Sequence, residues 1–130
     1  MAFHPEDRVV ASCSEDESIK LWNLDDGGLI STMRGHTDPV WSVRFSPCGE
    51  KIASGGGYEY GNKDFSIRIW DAKTGEQIGS PLRGHGDAVS SLVFKPDDPN
   101  VLVTGSWDNT VKLWDLSTST CLSTMTGHTR

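Results

Sequence analysis

Aliphatic residues alternate with hydroxyl-bearing and basic ones in three matching hexads: Ser18-Ile19-Lys20-Leu21-Trp22-Asn23, Ser66-Ile67-Arg68-Ile69-Trp70-Asp71 and Thr110-Val111-Lys112-Leu113-Trp114-Asp115. A period of two is that of a β-strand. In each hexad the two aliphatics point to one face and the Trp to the other, so both faces carry large apolar groups. Such a strand belongs in a sheet packed between two other sheets, not in one with a wet side. A second apolar run precedes each hexad: Val9-Val10-Ala11-Ser12, Lys51-Ile52-Ala53-Ser54 and Val101-Leu102-Val103-Thr104. A third, Val40 to Phe45 or Val89 to Phe94, lies further upstream, and a fourth is predicted near Gly28 to Met33, Gln77 to Leu82 and Thr120 to Met125. Gly, Pro, Asp and Asn cluster between these runs, as hairpin turns require. No segment reads as a helix of useful length.

The same order of runs is punctuated by recurring markers. Gly35-His36, Gly84-His85 and Gly127-His128 lie 49 and 43 residues apart, and Trp22, Trp70 and Trp114 lie 48 and 44 apart. Phe3-His4-Pro5, Phe45-Ser46-Pro47 and Phe94-Lys95-Pro96 recur 42 and 49 residues apart. Three independent markers share one period, with one insertion. A Gly-His dipeptide, a Trp-Asp ending and four strands between them make the chain resemble the WD40 β-propeller family. Trp22-Asn23 departs from the Trp-Asp pattern in its second member only.

The resemblance implies an all-β fold of four-stranded antiparallel blades. Residues 1–35 make a first blade with a truncated innermost strand, 36–84 a second with an inserted loop at 55–63, 85–127 a third, and 128–130 the start of a following repeat. It also implies a buried relay of Trp, Ser or Thr, His and Asp in each blade. The first blade supplies Ser12, Asp16 and Trp22 but no His. The second supplies His36, Ser54, Asp64 and Trp70, and the third His85, Thr104, Asp108 and Trp114. His128 opens the next repeat. Ser, His and Asp together invite a hydrolase reading. However, the set repeats, Thr replaces Ser in one copy, and buried polar groups need partners in any case. The relay is therefore expected to be structural, with no catalytic residue.

Propellers bind partners on loops held by the rigid blades. In this family two sets of loops share one face, which here carries Glu15, Arg34, Asp38, Trp41, Lys63, Arg83, Asp87 and Trp107, with Tyr58, Glu59 and Tyr60 on the inserted loop. Of these, Arg34, Trp41, Tyr58, Glu59, Tyr60, Arg83 and Trp107 are the candidate contacts, because aromatics and Arg dominate interface hot spots. Trp41 opens an inner strand and suits either core packing or exposure, whereas Trp107, beside a turn, is expected to be exposed. The glycines of the insertion lack the Gly-Lys-Ser/Thr ending and following helix of a phosphate loop. Lys73 stands where a Trp-Asp-x-Arg motif for docking a ubiquitin-ligase adaptor needs Arg, and Lys lacks the bidentate fork.

Composition narrows the function classes. The 130 residues include 12 Lys plus Arg against 18 Asp plus Glu, a formal net charge of −6. That balance disfavours nucleic acid and anionic membrane surfaces and leans toward basic peptides. No apolar run approaches the ~20 residues of a membrane span, and no charged-then-apolar leader is expected. Cys13, Cys48 and Cys121 have no metal-ligand spacing, so no zinc site or other cofactor is expected, and a reducing intracellular setting, cytoplasmic or nuclear, fits three free thiols. Closed propellers have about four to eight blades. Three blades are thus expected to form an open arc with wet flanks, either as part of a larger propeller or by self-association through the terminal blades, two copies supplying six. The leading expectation is a non-enzymatic scaffold for protein or peptide partners. A regulatory WD-repeat region of a multidomain signalling protein, with its kinase or NTPase domain elsewhere, stands as the alternative.

Overall fold

The computed structural model of the chain describes residues 2–5, 8–13, 16–57, 64–79 and 81–126. Glu15, Tyr58, Glu59, Tyr60, Lys63 and His128 lie outside the described residues. The strands are β1 (Ala2–Phe3), β2 (Val9–Cys13), β3 (Ser18–Asn23), β4 (Leu29–Arg34), β5 (Val40–Phe45), β6 (Lys51–Gly56), β7 (Ile67–Asp71), β8 (Val89–Lys95), β9 (Asp98–Ser106), β10 (Thr110–Asp115) and β11 (Thr120–Thr126). They form three antiparallel sheets in sequence order, β1 to β4, β5 to β7 and β8 to β11. Each alternating hexad is the third strand of its sheet.

The residue after each Trp explains how the next turn begins. Asn23 Oδ1 accepts the N–H of Asp25 at 2.8 Å, Asp71 Oδ1 that of Lys73 at 2.8 Å, and Asp115 Oδ1 that of Ser117 at 2.9 Å. An amide oxygen performs this Asx-turn role as a carboxylate does. Asn23 therefore replaces Asp in the first sheet without loss of the turn.

Two departures from the sequence expectation have physical causes. The expected strand from Gln77 to Leu82 is reduced to isolated pairings, Ile67 with Leu82 and Trp70 with Gln77. Gly79 takes a φ of +68°, which leaves the strand path, and Pro81 has no N–H to donate. Gly55 and Gly56, placed above in the inserted loop, instead continue β6. A Cβ on Gly55 would lie 2.8 Å from Val89 Cγ1, and one on Gly56 would lie 2.1 Å from the Pro39 carbonyl oxygen. These glycines are sites of close approach, not of a loose loop.

Packing follows the two-faced pattern of the hexads. Ile19, Leu21 and Met33 of the first sheet meet Val40, Val43, Ile52 and Trp70 of the second in one core cluster. Ile67, Ile69 and Leu82, on the opposite face of the second sheet, meet Val89, Leu92, Phe94, Leu102 and Trp114 of the third. Each interface thus lays the aliphatic face of one sheet against the Trp face of the next. Trp70 and Trp114 are buried, whereas Trp22, on the outer flank of the first sheet, is only partly covered. The sheets form an arc, with β1 to β3 against β5 and with β5 and β6 against β8.

Truncation of Ile67, which is fully buried between the second and third sheets, is expected to lower the unfolding free energy by about 2–5 kcal/mol. Leu122→Ala on the exposed β11 should change it by less than about 0.5 kcal/mol. Urea titration followed by tryptophan fluorescence measures both.

Candidate interaction face and its buried relays

Three sets of side chains lie toward the end of the sheets where β2, β6 and β9 finish and β3, β7 and β10 begin. In the second sheet the Trp70 indole donates to Ser54 Oγ at 2.8 Å, and Ser54 Oγ lies 2.7 Å from His36 Nε2. An indole N–H only donates, so the Ser54 hydroxyl proton is directed to His36; its other acceptor, the Arg68 carbonyl, is 3.5 Å away. His36 is thereby fixed with its proton on Nδ1, which donates to Asp64 Oδ2 at 3.3 Å. The third sheet repeats this polarity. Trp114 donates to Thr104 Oγ1 at 2.9 Å, Thr104 lies 2.7 Å from His85 Nε2, and His85 Nδ1 lies 3.0 Å from Asp108 Oδ2.

The carboxylates end each chain of bonds by holding loop backbone. Asp64 Oδ2 accepts the N–H of Thr37 at 2.8 Å, and Asp108 Oδ2 that of Gly86 at 2.9 Å. Burial alone would raise the pKa of Asp64, but hydrogen bonds from His36, Ser66 and the Thr37 backbone outweigh it and hold the carboxyl well below 3.8. Asp108 is lowered in the same way: bonds from Thr110, Gly86 and His85 overcome burial. Burial pushes His85 below 6.5, with Asp108 opposing, so the ring stays neutral as the donor pattern requires. Arg68 lies beside Asp64, with Nη2 3.7 Å from Oδ2 and Nη1 3.1 Å from Gln77 Oε1, and its Nε is buried without an acceptor.

The first sheet holds only part of such a set. Trp22 donates to Ser12 Oγ at 2.9 Å, and Asp16 holds Ser18 and lies 3.8 Å from Lys20 Nζ. Ser18, Ser66 and Thr110, not singled out above, donate their hydroxyls to Asp16, Asp64 and Asp108 respectively. Their constant place two residues after each Asp was the available signal.

Around these anchors the end presents a mixed surface. Trp41 is 43% exposed while its indole N–H donates to the Gly57 carbonyl at 2.7 Å. The exposed ring of Trp41 resolves the choice left open by its position. Trp107 is 52% exposed, on a turn whose N–H donates to the Ala88 carbonyl at 3.0 Å. Arg34 and Arg83 are exposed, each immediately before a Gly-His pair. Asp38, expected on this surface, is buried and accepts the Asp64 N–H at 2.6 Å, joining the β4–β5 connection to the one after β6. Asp87 is partly buried and accepts the Ala88 N–H at 2.7 Å. Ser54 and Thr104 are fully buried, with both hydroxyl roles already used. Among the described residues no group of three His, Cys, Asp or Glu is arranged to hold a metal ion.

Comparison with known proteins accords with this geometry. A family model described as "WD domain, G-beta repeat" matches residues 1–23, 27–71 and 75–115. Nuclear distribution protein PAC1 of Arthroderma benhamiae and that of Trichophyton verrucosum are each 36% identical over 99% of this chain, which covers 29% of their length. WD repeat-containing protein 25 of Mus musculus is 37% identical over 85% of the chain and 19% of its own length. The chain therefore spans less than a third of these curated relatives.

Replacing His85 by Ala removes the middle of a buried chain of donors and acceptors and should cost about 1–3 kcal/mol in urea unfolding. The pH dependence has a definite sign. His85 is depressed in the folded state, so its contribution is complete above pH 6.5 and is lost as pH falls through the lower folded value. Asp64 and Asp108 act likewise in a lower window, complete above pH 3.8 and lost as pH falls beneath it. The urea midpoint should therefore decline on acidification in two stages, the first diminished in His85→Phe. A midpoint that rises below pH 6.5 contradicts the neutral-ring assignment.

Proposed function

This chain belongs to the WD-repeat family, and on that premise we propose that it is a non-enzymatic scaffold that assembles protein complexes through the end carrying Trp41 and Trp107. The observation that carries the reading is their shared placement. Two large aromatics stand about half exposed, Trp41 at the start of β5 and Trp107 on the turn after β9, beside loop backbone that the relay carboxylates hold. Rigid aromatic anchors of this kind contribute most of the binding energy at interfaces, and prior clamping lowers the entropy lost on association. Arg34 and Arg83 flank them as charged contacts, with Tyr58, Glu59 and Tyr60 assigned to the same face by sequence. The partner is a protein or peptide, and no chemistry is assigned to the relay, whose hydroxyls no substrate reaches.

Coverage of less than a third of the curated relatives supports reading the three repeats as part of a larger propeller protein. The alternative, a regulatory repeat region attached to a kinase or NTPase domain, has no observation of its own in its favour.

A quantitative pull-down with the wild-type chain, compared with a Trp41→Ala/Trp107→Ala variant, tests the scaffold reading. Loss of two hot-spot aromatics should reduce capture of a specific partner by about tenfold or more. Because Trp41 also holds Gly57, Trp107→Ala alone separates recognition from loop support, and circular dichroism and urea titration check the fold. Undiminished capture by both variants contradicts the assignment of this face.

A further inference from the structure

At the opposite end of the sheets, between the first and second, lies a cleft of about 500 Å³. That is within the usual size of a ligand-binding pocket. Its apolar lining comes from Val9, Leu21, Ile30 and Phe45. Ile30 is 51% exposed, and Phe45 is only partly buried although it packs on the core. Ile30 and part of Phe45 remain open to an incoming side chain, over a closed floor formed by Leu21.

One wall of the cleft is fixed in advance. The His4 ring stands edge-on to Phe45 with centroids 5.1 Å apart, and it rests over Gly49. A Cβ on Gly49 would come within 2.1 Å of His4 Nε2, and the residue's φ of +77° independently favours glycine. The position is thus glycine for two reasons, both of which shape this wall.

The polar rim is formed by Glu50, Asp71 and Lys73. Asp71 uses Oδ1 for the N–H groups of Lys73 and Thr74. The Glu50 carboxylate has no ion pair among the described residues. Exposed carboxylates also stand on the connections that follow the third strand of the first and second sheets, at Asp25, Asp26 and Glu76. Of the cations present, Arg8 is paired with Asp25, and Lys95 lies 3.7 Å from Asp97.

We propose that this cleft binds a basic peptide segment, seating one aliphatic side chain between Ile30 and Phe45 and a flanking Lys or Arg against Glu50 and Asp71. Apolar walls supply the anchor's burial, and the unspent carboxylate charge selects the neighbouring residue. Among the described residues Lys73 brings an ammonium group to the lining, which works against such a ligand. The site is independent of the face that carries Trp41 and Trp107, so either assignment stands if the other fails.

Four capped, fluorescently labelled pentapeptides test the proposal by anisotropy with the full chain: Lys and Arg around a central Leu, the same with Gly in place of Leu, Asp and Glu around Leu, and Ser around Leu. The first should bind saturably and the other three at least several-fold more weakly. Glu50→Lys should weaken the first peptide about fivefold, and Lys73→Glu should tighten it by a similar factor. That gain distinguishes recognition from loss of fold. Bound peptide should slow alkylation of Cys48, whose exposed thiol lines the cleft, without slowing that of Cys121 on β11. Equal binding of the acidic or Gly peptide, no gain from Lys73→Glu, or unchanged Cys48 alkylation overturns the proposal. Equal binding of a Leu peptide flanked by Ser also overturns it, making the cleft a general apolar site.

Discussion

Burying an indole sets the terms for the rest of this structure. Trp70 and Trp114 fill the space between neighbouring sheets, and an indole in that position carries an N–H that water no longer reaches. An unsatisfied buried donor costs about 1–3 kcal/mol, so the fold must supply an acceptor inside the sheet, and Ser54 or Thr104 does so from the adjacent strand. That hydroxyl then has a proton to place, which demands an acceptor, His36 or His85, and the imidazole in turn demands an acceptor for its second nitrogen. The sequence of obligations ends at Asp64 and Asp108, where the charge is stabilised by loop N–H groups. Core packing and the shape of the interaction face are consequently one problem. The residue that fills the space between sheets also determines where the connections at the end of those sheets are held.

The first sheet keeps the outer steps of that arrangement. Its Trp22 faces the outer flank and remains partly open, yet it still donates to Ser12. Asp16 is exposed and near Lys20, an arrangement common at surfaces and of small energetic weight.

Much of this was legible because strand parity and spacing are local properties. Opposite placement of Ile67 and Ile69 relative to Trp70 required two neighbouring sheets, and the structure supplies both. Asp64 and Asp108 share one spacing to their Trp, and Ser54 matches Thr104 once the insertion is allowed for. What stayed hidden depends on contacts distant in sequence. Nothing local reveals that Val89 and the Pro39 carbonyl press on Gly55 and Gly56, so a glycine run read as a loop is partly a strand. Likewise, Asp38 resembles a surface turn residue until the connection after β6 brings the Asp64 N–H to it. The weak edge of the second sheet follows from Gly79 and Pro81, whose effect was visible in principle but was outweighed by the alignment of the repeats.

Net charge is the property most altered by the fold. A balance of −6 over the chain suggests a uniformly acidic surface, yet burial divides the carboxylates into two populations. At the relay end Asp38 and Asp64 are buried and Asp87 and Asp108 partly so, all accepting hydrogen bonds from protein groups, while Arg34 and Arg83 remain exposed. At the other end the carboxylates lie on turns and keep most of their charge toward solvent. The two ends therefore differ in which charges meet solvent, even though each Asp and Arg counts equally in the total. The relay carboxylates stay ionised, but loop N–H groups and hydroxyls hold them, so the demand first imposed by a buried indole also decides how these carboxylates are engaged.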